Sequence, residues 1–156
     1  MKVFGGVMIA VSIALVATGC SGSGPSSSSS GPPTSTPATG GGDVAVTVKQ
    51  WSITPTVSTV STGSVAFTVT NNGTVEHEFV VLQTDTPAAD FPITSFEGEK
   101  DRLNEDTAGT NVGETGDMAP ATTKTITIDL QPGHYAFVCN LPGHYGKGMH
   151  IDFTVS

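Results

Sequence analysis

Short segments in which apolar and polar residues alternate at every second position constrain the fold of this 156-residue chain more than any other feature. A period of two places successive side chains on opposite faces of a β-strand, so that one face of each segment is buried. The alternating apolar residues are Val44, Val46 and Val48; Val65, Phe67 and Val69; Ile126, Ile128 and Leu130; Tyr135 and Phe137; and Ile151, Phe153 and Val155. Turn residues such as Asn71-Asn72-Gly73 and Gln131-Pro132-Gly133 separate these segments. The pattern predicts an all-β protein, a β-sandwich of about seven short strands that begins near Asp43.

One long segment, residues 83–120, does not fit this alternation. It carries nine acidic residues but only two basic ones, Lys100 and Arg102, together with several Gly, Thr and Pro residues. We interpret it as a long surface excursion with a short helix around Phe96 to Asn104. Loops of this length in a folded domain are usually either functional or disordered, and the sequence does not distinguish the two.

The first 42 residues lack the composition of a folded domain. Residues 1–19 contain Lys2, an apolar run from Val3 to Val16, and small residues, which is typical of a secretory signal. The run is too short for a bilayer-spanning helix, which needs about 20 apolar residues, although an uncleaved membrane anchor is the alternative. Residues 20–42 are almost entirely Ser, Gly, Pro and Thr and predict a linker. The folded domain then occupies residues 43–156.

The end of the signal, Ala17-Thr18-Gly19-Cys20, resembles the cleavage site of bacterial lipoproteins, apart from Ala17, where Leu is usual. This resemblance implies that Cys20 is lipidated. The mature protein would then be exported and anchored through its N-terminal lipid to the outer face of the cytoplasmic membrane, or would lie in the periplasm or cell envelope. Lipidation would leave Cys139 as a thiol without a disulfide partner in an oxidising compartment, and metal ligation is one explanation for such a thiol.

The net charge limits the class of partner. Removal of the signal removes Lys2, so the mature chain has 14 acidic and 5 basic residues, a net charge of −9. Phosphates would repel such a protein, so we expect no nucleic-acid partner. An acidic surface favours solubility and is compatible with a basic docking partner.

Three candidate metal ligands lie in one short loop near the C-terminus. Cys139, His144 and Met149 offer a thiolate, an imidazole and a thioether between two predicted strands. Soft sulfur ligands with imidazole suit copper, and two imidazoles plus a thiolate with a distant Met describe a blue-copper site. The loop supplies only one imidazole, and His77 is the candidate for the second. We therefore predict one copper ion, cycling between Cu(II) and Cu(I), on these four residues.

Strand parity selects His77 among the other histidines. Residues two apart face the same side of a strand, so His77 should point inward with Phe79 and Val81. By the same rule Met149 faces inward with Ile151, and Cys139 does so with Phe137. His134 and His150 have the opposite parity and should face solvent.

Residues 43–156 resemble the cupredoxins, the group of plastocyanin, azurin and rusticyanin. The resemblance depends on the strand that ends at Tyr135-Ala136-Phe137-Val138-Cys139, then on Pro142-Gly143-His144, and then on Gly148-Met149. It implies a Greek-key β-sandwich of about seven to eight strands and one copper ion that transfers electrons without binding substrate. It also implies that His144, beside Leu141 and Pro142, is the solvent-side edge through which electrons pass. Glu78 departs from the family, which commonly has Asn or Ser after the upstream histidine.

The predicted function is electron transfer by a monomer with redox partner proteins. The main alternative is a non-redox extracellular copper carrier, which the ligands alone do not exclude. A copper enzyme of related fold needs additional histidines, often as His-x-His, and the chain has four His and no such pair, so we expect no catalytic activity. A dinuclear copper site would need a second cysteine in the loop, and a structural zinc site usually has more thiolates or paired ligand spacing.

Overall fold

Eleven β-strands, one short α-helix and one 3₁₀-helix, Tyr145–Lys147, lie in the part of the chain that the computed structural model describes, residues 40–96 and 98–156. The predicted signal (residues 1–19), the predicted lipidation site Cys20 and most of the predicted linker lie outside these residues. The elements in chain order are β1 Gly42–Lys49, β2 Ser52–Pro55, β3 Thr59–Val60, β4 Gly63–Asn71, β5 Val80–Gln83, β6 Thr94–Phe96, β7 Glu99–Arg102, α1 Glu105–Ala108, β8 Thr110–Glu114, β9 Thr123–Leu130, β10 Gly133–Val138 and β11 His150–Val155. No helix within the described ranges has the length and apolar character needed to cross a membrane.

Nine of these strands form two sheets, in the orders β2-β1-β4-β9 and β3-β11-β10-β5-β8. The β1–β4 and β11–β3 pairs are parallel, and the remaining pairs are antiparallel. Alternate side chains of both sheets meet in one apolar core, as the period of two predicts. The predicted all-β sandwich is confirmed. The strand count exceeds the predicted seven to eight because β3 has two residues and β6 and β7 form a separate hairpin within the excursion.

Four phenylalanines form the centre of this core. Phe67 on β4 lies 5.4 Å from Phe137, 5.7 Å from Phe79 and 6.0 Å from Phe153, measured between ring centroids. Phe137 and Phe153 stack at 4.5 Å across the β10–β11 pair. All four are fully buried or nearly so. Because Phe79 and Phe137 each lie two residues from a candidate ligand, this cluster supports the segments that carry His77 and Cys139.

The excursion covers the outer face of the second sheet. Val80 and Leu82 on β5 and Ala136 and Val138 on β10 have the opposite parity to the main core, yet they are fully buried. They form a second apolar cluster with excursion and loop residues, namely Ala88, Phe91, Leu103, Ala108 and Tyr145. The interpretation of residues 83–120 as a surface loop is therefore incomplete. Most of its acidic side chains in the described residues face water, whereas Ala88, Phe91, Leu103 and Ala108 bury this sheet on its second side.

The helix predicted around Phe96 to Asn104 is wrong. Within this range Phe96 ends β6, and Glu99–Arg102 form β7, which pairs with β6 in a hairpin. Gly98, between the two strands, has φ +83°, a backbone conformation that glycine adopts without strain. The helix, α1, begins only after Asn104. The Asn104 side chain accepts a hydrogen bond from the Asp106 N–H at 3.2 Å, which is the usual N-cap interaction.

Candidate metal centre

The structure brings three of the four predicted ligands together at one end of the sandwich. Nδ1 of His77 lies 3.2 Å from Nδ1 of His144, and Sγ of Cys139 lies 3.3 Å from His144 Nδ1 and 4.0 Å from His77 Nδ1. His77 and Cys139 are completely buried, and His144 is partly exposed. Within residues 40–96 and 98–156, this is the one group of three or more potential metal-binding side chains whose donor atoms converge.

The spacing of the three donor atoms fits a single metal ion. Imidazole nitrogen and thiolate sulfur lie about 2.0–2.3 Å from a first-row metal, so three such donors in a trigonal plane are about 3.5–3.8 Å apart. The observed separations of 3.2, 3.3 and 4.0 Å bracket this range. Two imidazoles and one thiolate in a plane are the donor set of blue-copper sites.

Met149, the fourth predicted ligand, lies beside the cluster in the same loop. It is fully buried, and its carbonyl oxygen accepts a hydrogen bond from the Cys139 N–H at 3.0 Å. The Met149 N–H donates to the His144 carbonyl at 3.3 Å. The ten-residue step from Cys139 to Met149 is thus closed by backbone hydrogen bonds. This closure brings the beginning, middle and end of the loop together.

A buried asparagine positions the segment that carries His77. His77 forms an isolated backbone bridge with Met118, with N···O distances of 3.2 and 2.8 Å. The Asn71 side-chain amide donates to the carbonyls of Met118 and Val75, at 2.8 and 2.9 Å. Asn71 was not among the residues predicted to support the site. Its parity with Val65, Phe67 and Val69 marks it as a polar residue on the buried face, which was the available signal.

Glu78 connects the His77 segment to the cysteine. Its backbone N–H points at Cys139 Sγ with an N···S distance of 3.4 Å, and its Oε1 accepts a hydrogen bond from the Asn140 N–H at 2.7 Å. Only 8% of Glu78 is exposed. Burial raises the pKa of its carboxyl group from 4.5 to about 7, and the hydrogen bond from Asn140 opposes this rise. Glu78 thus contacts the cysteine loop through both its backbone N–H and its carboxyl group.

Asn140 connects the cysteine loop to the excursion. Its side chain accepts a hydrogen bond from the Leu103 N–H at 2.7 Å and donates to the Leu103 carbonyl at 3.0 Å, as a neighbouring strand would. It also donates to Glu105 Oε1 at 2.9 Å. Gly143 adds a backbone hydrogen bond to the Asp101 carbonyl at 3.2 Å. The excursion therefore holds Asn140, the residue that directly follows Cys139, through hydrogen bonds to both the oxygen and the nitrogen of its side-chain amide.

Burial of the three donor side chains sets their protonation in the metal-free protein. Desolvation raises the pKa of the Cys139 thiol to about 11. Desolvation, with the nearby His144, lowers the pKa of His77 to about 4. Desolvation, with Lys147, also lowers the pKa of His144. At neutral pH the metal-free site therefore holds a protonated thiol and a neutral His77 imidazole, and a metal must displace the thiol proton in order to bind.

The buried carboxyl group of Glu78 should make stability depend on pH in an unusual direction. A folded-state pKa raised above the unfolded value stabilises the protein fully below pH 4.5, and this contribution disappears as pH rises towards 7. The test compares the free energies of unfolding of the metal-free wild type and of metal-free Glu78→Gln. We expect the wild-type value minus the variant value to fall by about 3 kcal/mol between pH 4 and 7.5. Urea unfolding across this range measures the difference.

The comparison with Glu78→Gln isolates Glu78, because the amide keeps an acceptor for the Asn140 N–H. His77 acts in the opposite direction: its lowered pKa stabilises the folded protein above pH 6.5, and this is lost as pH falls through 4. That contribution is common to both proteins and cancels in the difference. A difference that stays constant from pH 4 to 7.5 would contradict the assignment.

The two remaining histidines lie outside the cluster, as parity predicts. Both are partly exposed rather than fully solvent-facing. His134 places Nδ1 2.7 Å from the Thr84 carbonyl and Nε2 2.9 Å from Asp152 Oδ1. His150 packs its ring against Tyr145, with 4.8 Å between centroids. Cys139 is a free thiol in the described part of the chain. The predicted lipidation site Cys20 lies outside that part.

Comparison with known proteins agrees with the observed fold and identifies a family. Residues 55–156, well over half of the chain, match the sulfocyanin (SoxE) domain family. The fold is similar to dithionite-reduced auracyanin from the photosynthetic bacterium Roseiflexus castenholzii, with 23% identity, a TM-score of 0.51, and coverage of 74% of this chain and 96% of that one. It is also similar to auracyanin B, with 18% identity, a TM-score of 0.51, and coverage of 74% and 88%. The chain has no significant match among curated protein sequences.

Proposed function

Because this chain belongs to the sulfocyanin (SoxE) family of cupredoxins, which bind a single copper ion, we propose that it is a mononuclear blue-copper protein that carries single electrons. The observation that supports this proposal most strongly is the cluster of one buried thiol and two imidazoles. Their donor atoms already lie within 4.8 Å of one another on two separate segments of the chain.

His77, Cys139 and His144 would hold the copper ion, and Met149 would be a weaker fourth ligand. Copper would supply reversible one-electron chemistry there, and the chain would hold its ligands in place. Hydrogen bonds hold the ligand segments in place. Asn71 supports the His77 segment, and the Glu78–Asn140 hydrogen bond supports the Cys139 segment. The backbone hydrogen bond between Cys139 and Met149 closes the loop. Ligands held in this way would keep one arrangement in both oxidation states, which would favour rapid electron transfer.

His144 is the one proposed ligand that reaches solvent. His77, Cys139 and Met149 are fully buried, whereas His144 is partly exposed next to Leu141 and Pro142. This supports the port that the family resemblance implies, at which a partner approaches the His144 edge of the site.

Reversible electron cycling with retention of the metal separates this function from that of a copper carrier. Copper-loaded protein should show one reversible one-electron wave in voltammetry, and it should keep its metal over many cycles in the presence of a competing chelator. Rapid transfer of copper to the chelator, with no reversible wave, would favour the carrier instead. The burial of Cys139 and His77 supports the first outcome, because neither ligand is open to an incoming chelator.

Replacing Met149 with glutamine should lower the reduction potential and keep the intense visible absorption. The thiolate and both imidazoles remain, so the absorption persists, whereas an amide oxygen stabilises Cu(II) more than a thioether does. Voltammetry of the copper-loaded variant measures the potential. Met118→Leu is the matched control, since Met118 is another fully buried methionine close to the site. A potential that is unchanged in Met149→Gln would remove Met149 from the ligand set.

We further propose that the mature protein is an exported monomer, lipidated at Cys20, that exchanges electrons with redox partner proteins. The signal-like residues 1–19 and the Ser/Gly/Pro/Thr-rich linker support this location. Detergent phase partition of the expressed full-length chain tests it. The wild type should enter the detergent phase and Cys20→Ala should not, and an equal distribution of the two proteins would exclude the lipid anchor.

A further inference from the structure

Trp51, the single tryptophan of the chain, lies against both imidazoles of the metal centre. It lies in the turn between β1 and β2, and its ring meets His144 edge-on, with 5.1 Å between centroids and an interplanar angle of 79°. It also meets His77 at 6.5 Å and 89°. The Nζ atom of Lys147 lies 3.9 Å from the Trp51 ring centroid. The indole thus connects both imidazoles to the surface of the protein.

Packing alone does not account for an indole at this position. Trp51 keeps 39% of its surface exposed and is absent from both apolar cores. A large aromatic side chain contributes most to stability when it is buried, and a β-turn has no need of one. If Trp51 only covered His144 from water, an aliphatic side chain would serve equally well. The distinctive property of an indole here is a π-system that is in contact with His144 and open to a partner.

We propose that Trp51 is a second electron-exchange contact of the copper site, which acts beside the exposed edge of His144. A partner's redox group would pack against the exposed part of the indole, and electronic coupling would continue through the edge contact with His144. The reductant loses one electron and the copper site gains one. No bond forms or breaks, and Trp51 is not itself oxidised. This inference rests on the proposed electron-transfer function.

Lys147 orients the indole in this role. Its ammonium group lies over the ring in a cation–π arrangement, and its backbone N–H donates to the His144 carbonyl at 3.1 Å. The same residue therefore contacts Trp51 through its side chain and the His144 turn through its backbone. This double contact fixes the indole relative to the imidazole that it meets.

Fluorescence provides a test that does not depend on any partner, because all tryptophan emission comes from Trp51. Metal-free protein is titrated with Cu(II) and, separately, with Zn(II), which can occupy the same donors but cannot accept an electron. We expect Cu(II) to quench most of the emission and Zn(II) to leave most of it. Equal effects of the two metals, or no quenching by Cu(II), would overturn the proposed coupling.

Electron self-exchange gives the second test, since it has no driving force in any variant and is insensitive to changes in potential. We expect Trp51→Leu to lower the self-exchange rate, measured by NMR line broadening, by an order of magnitude or more. Trp51→Phe should recover part of the loss. Val57→Ala, which removes an exposed apolar side chain from the segment after β2, should have the wild-type rate.

The outcomes distinguish this inference from the proposed function. A wild-type protein with no reversible one-electron wave would disprove the function. A wild type that cycles normally, combined with a rate that is unchanged or faster in Trp51→Leu, would show that Trp51 only shields His144 and would overturn the inference. The visible absorption of each variant confirms that the copper site is intact before rates are compared. If Trp51→Leu loses this absorption, the same comparison is made with Trp51→Phe, for which an unchanged rate overturns the inference.

Discussion

The copper-loaded Cys139→Ser variant is expected to lack the intense visible absorption of the wild type. That absorption comes from charge transfer between a thiolate and Cu(II), and a serine hydroxyl offers no such donor. Cys139 is fully buried, and its sulfur lies 3.3 Å from His144 Nδ1. The described residues contain no second cysteine that could replace it. We also expect the Cu(II) affinity to fall by at least about 100-fold, because loss of residues that merely support a ligand already costs 10–100-fold.

Absorption spectroscopy and competition with a chelator measure these two effects. His134→Ala is the matched control, since it removes an imidazole that lies on the second sheet but outside the cluster. It should keep both the colour and the affinity. Circular dichroism of metal-free Cys139→Ser shows whether the fold is retained. A coloured Cys139→Ser protein would contradict the blue-copper assignment, whereas a colourless His134→Ala protein would show that the cluster is not the site.

Phe67→Ala should lower the free energy of unfolding of the metal-free protein by about 3–5 kcal/mol, the usual cost of removing a buried phenyl ring. Phe67 is completely buried and contacts the three phenylalanines that support both ligand segments. Single domains are stable by only about 5–15 kcal/mol, so the variant should be close to unfolding at room temperature. Urea unfolding measures the change.

Metal-free protein is required for this comparison, because copper binds only the folded state and would mask part of the loss. Thr68→Ala is the control. Thr68 is the next residue on β4, it points outward, and its side chain makes an exposed hydrogen bond to Thr125 at 3.2 Å. Surface changes of this kind usually alter stability by less than about 0.5 kcal/mol. A loss below about 1 kcal/mol in Phe67→Ala would mean that the four-ring cluster is not the centre of the core.

Strand parity predicts the inward-facing residues because it is a local property of an extended chain. His77 is placed correctly by its spacing from Phe79 and Val81, and all three are fully buried. The same rule separates His134 and His150 from the cluster. It does not predict how deeply a residue on the other face is buried, since this depends on what covers the sheet. Both histidines are therefore partly covered rather than fully exposed.

The second apolar layer is the part of the fold that alternation conceals. Phe79-Val80-Val81-Leu82 is a continuous apolar run, which is typical of a strand buried on both faces. That run was the available signal that something covers the second sheet. The residues that cover it, such as Phe91 and Leu103, are scattered through an acidic segment with no period, so their partners depend on long-range packing that local sequence does not encode.

The polar contacts around the metal centre were equally hidden, because each one joins residues that are distant in sequence. Glu78 and Asn140 are 62 residues apart, and Asn140 and Leu103 are 37 residues apart. The family resemblance identifies Glu78 as a departure at a position that contacts the cysteine loop, but it does not identify the Asn140 N–H that Glu78 meets. Trp51 was overlooked because a single aromatic residue in a turn has no pattern to assign it.

The hydrogen bonds between Asn140 and Leu103 have a consequence for protein engineering. A loop exchange at this site would replace the segment from Cys139 to Met149, which carries three of the four proposed ligands. The second residue of that segment, Asn140, is bonded through its side chain to the backbone of Leu103, which lies outside the exchanged segment. A transplanted loop that lacks an equivalent amide would leave the N–H and carbonyl of a buried residue without partners. The transferable unit is therefore the loop together with the excursion that holds it.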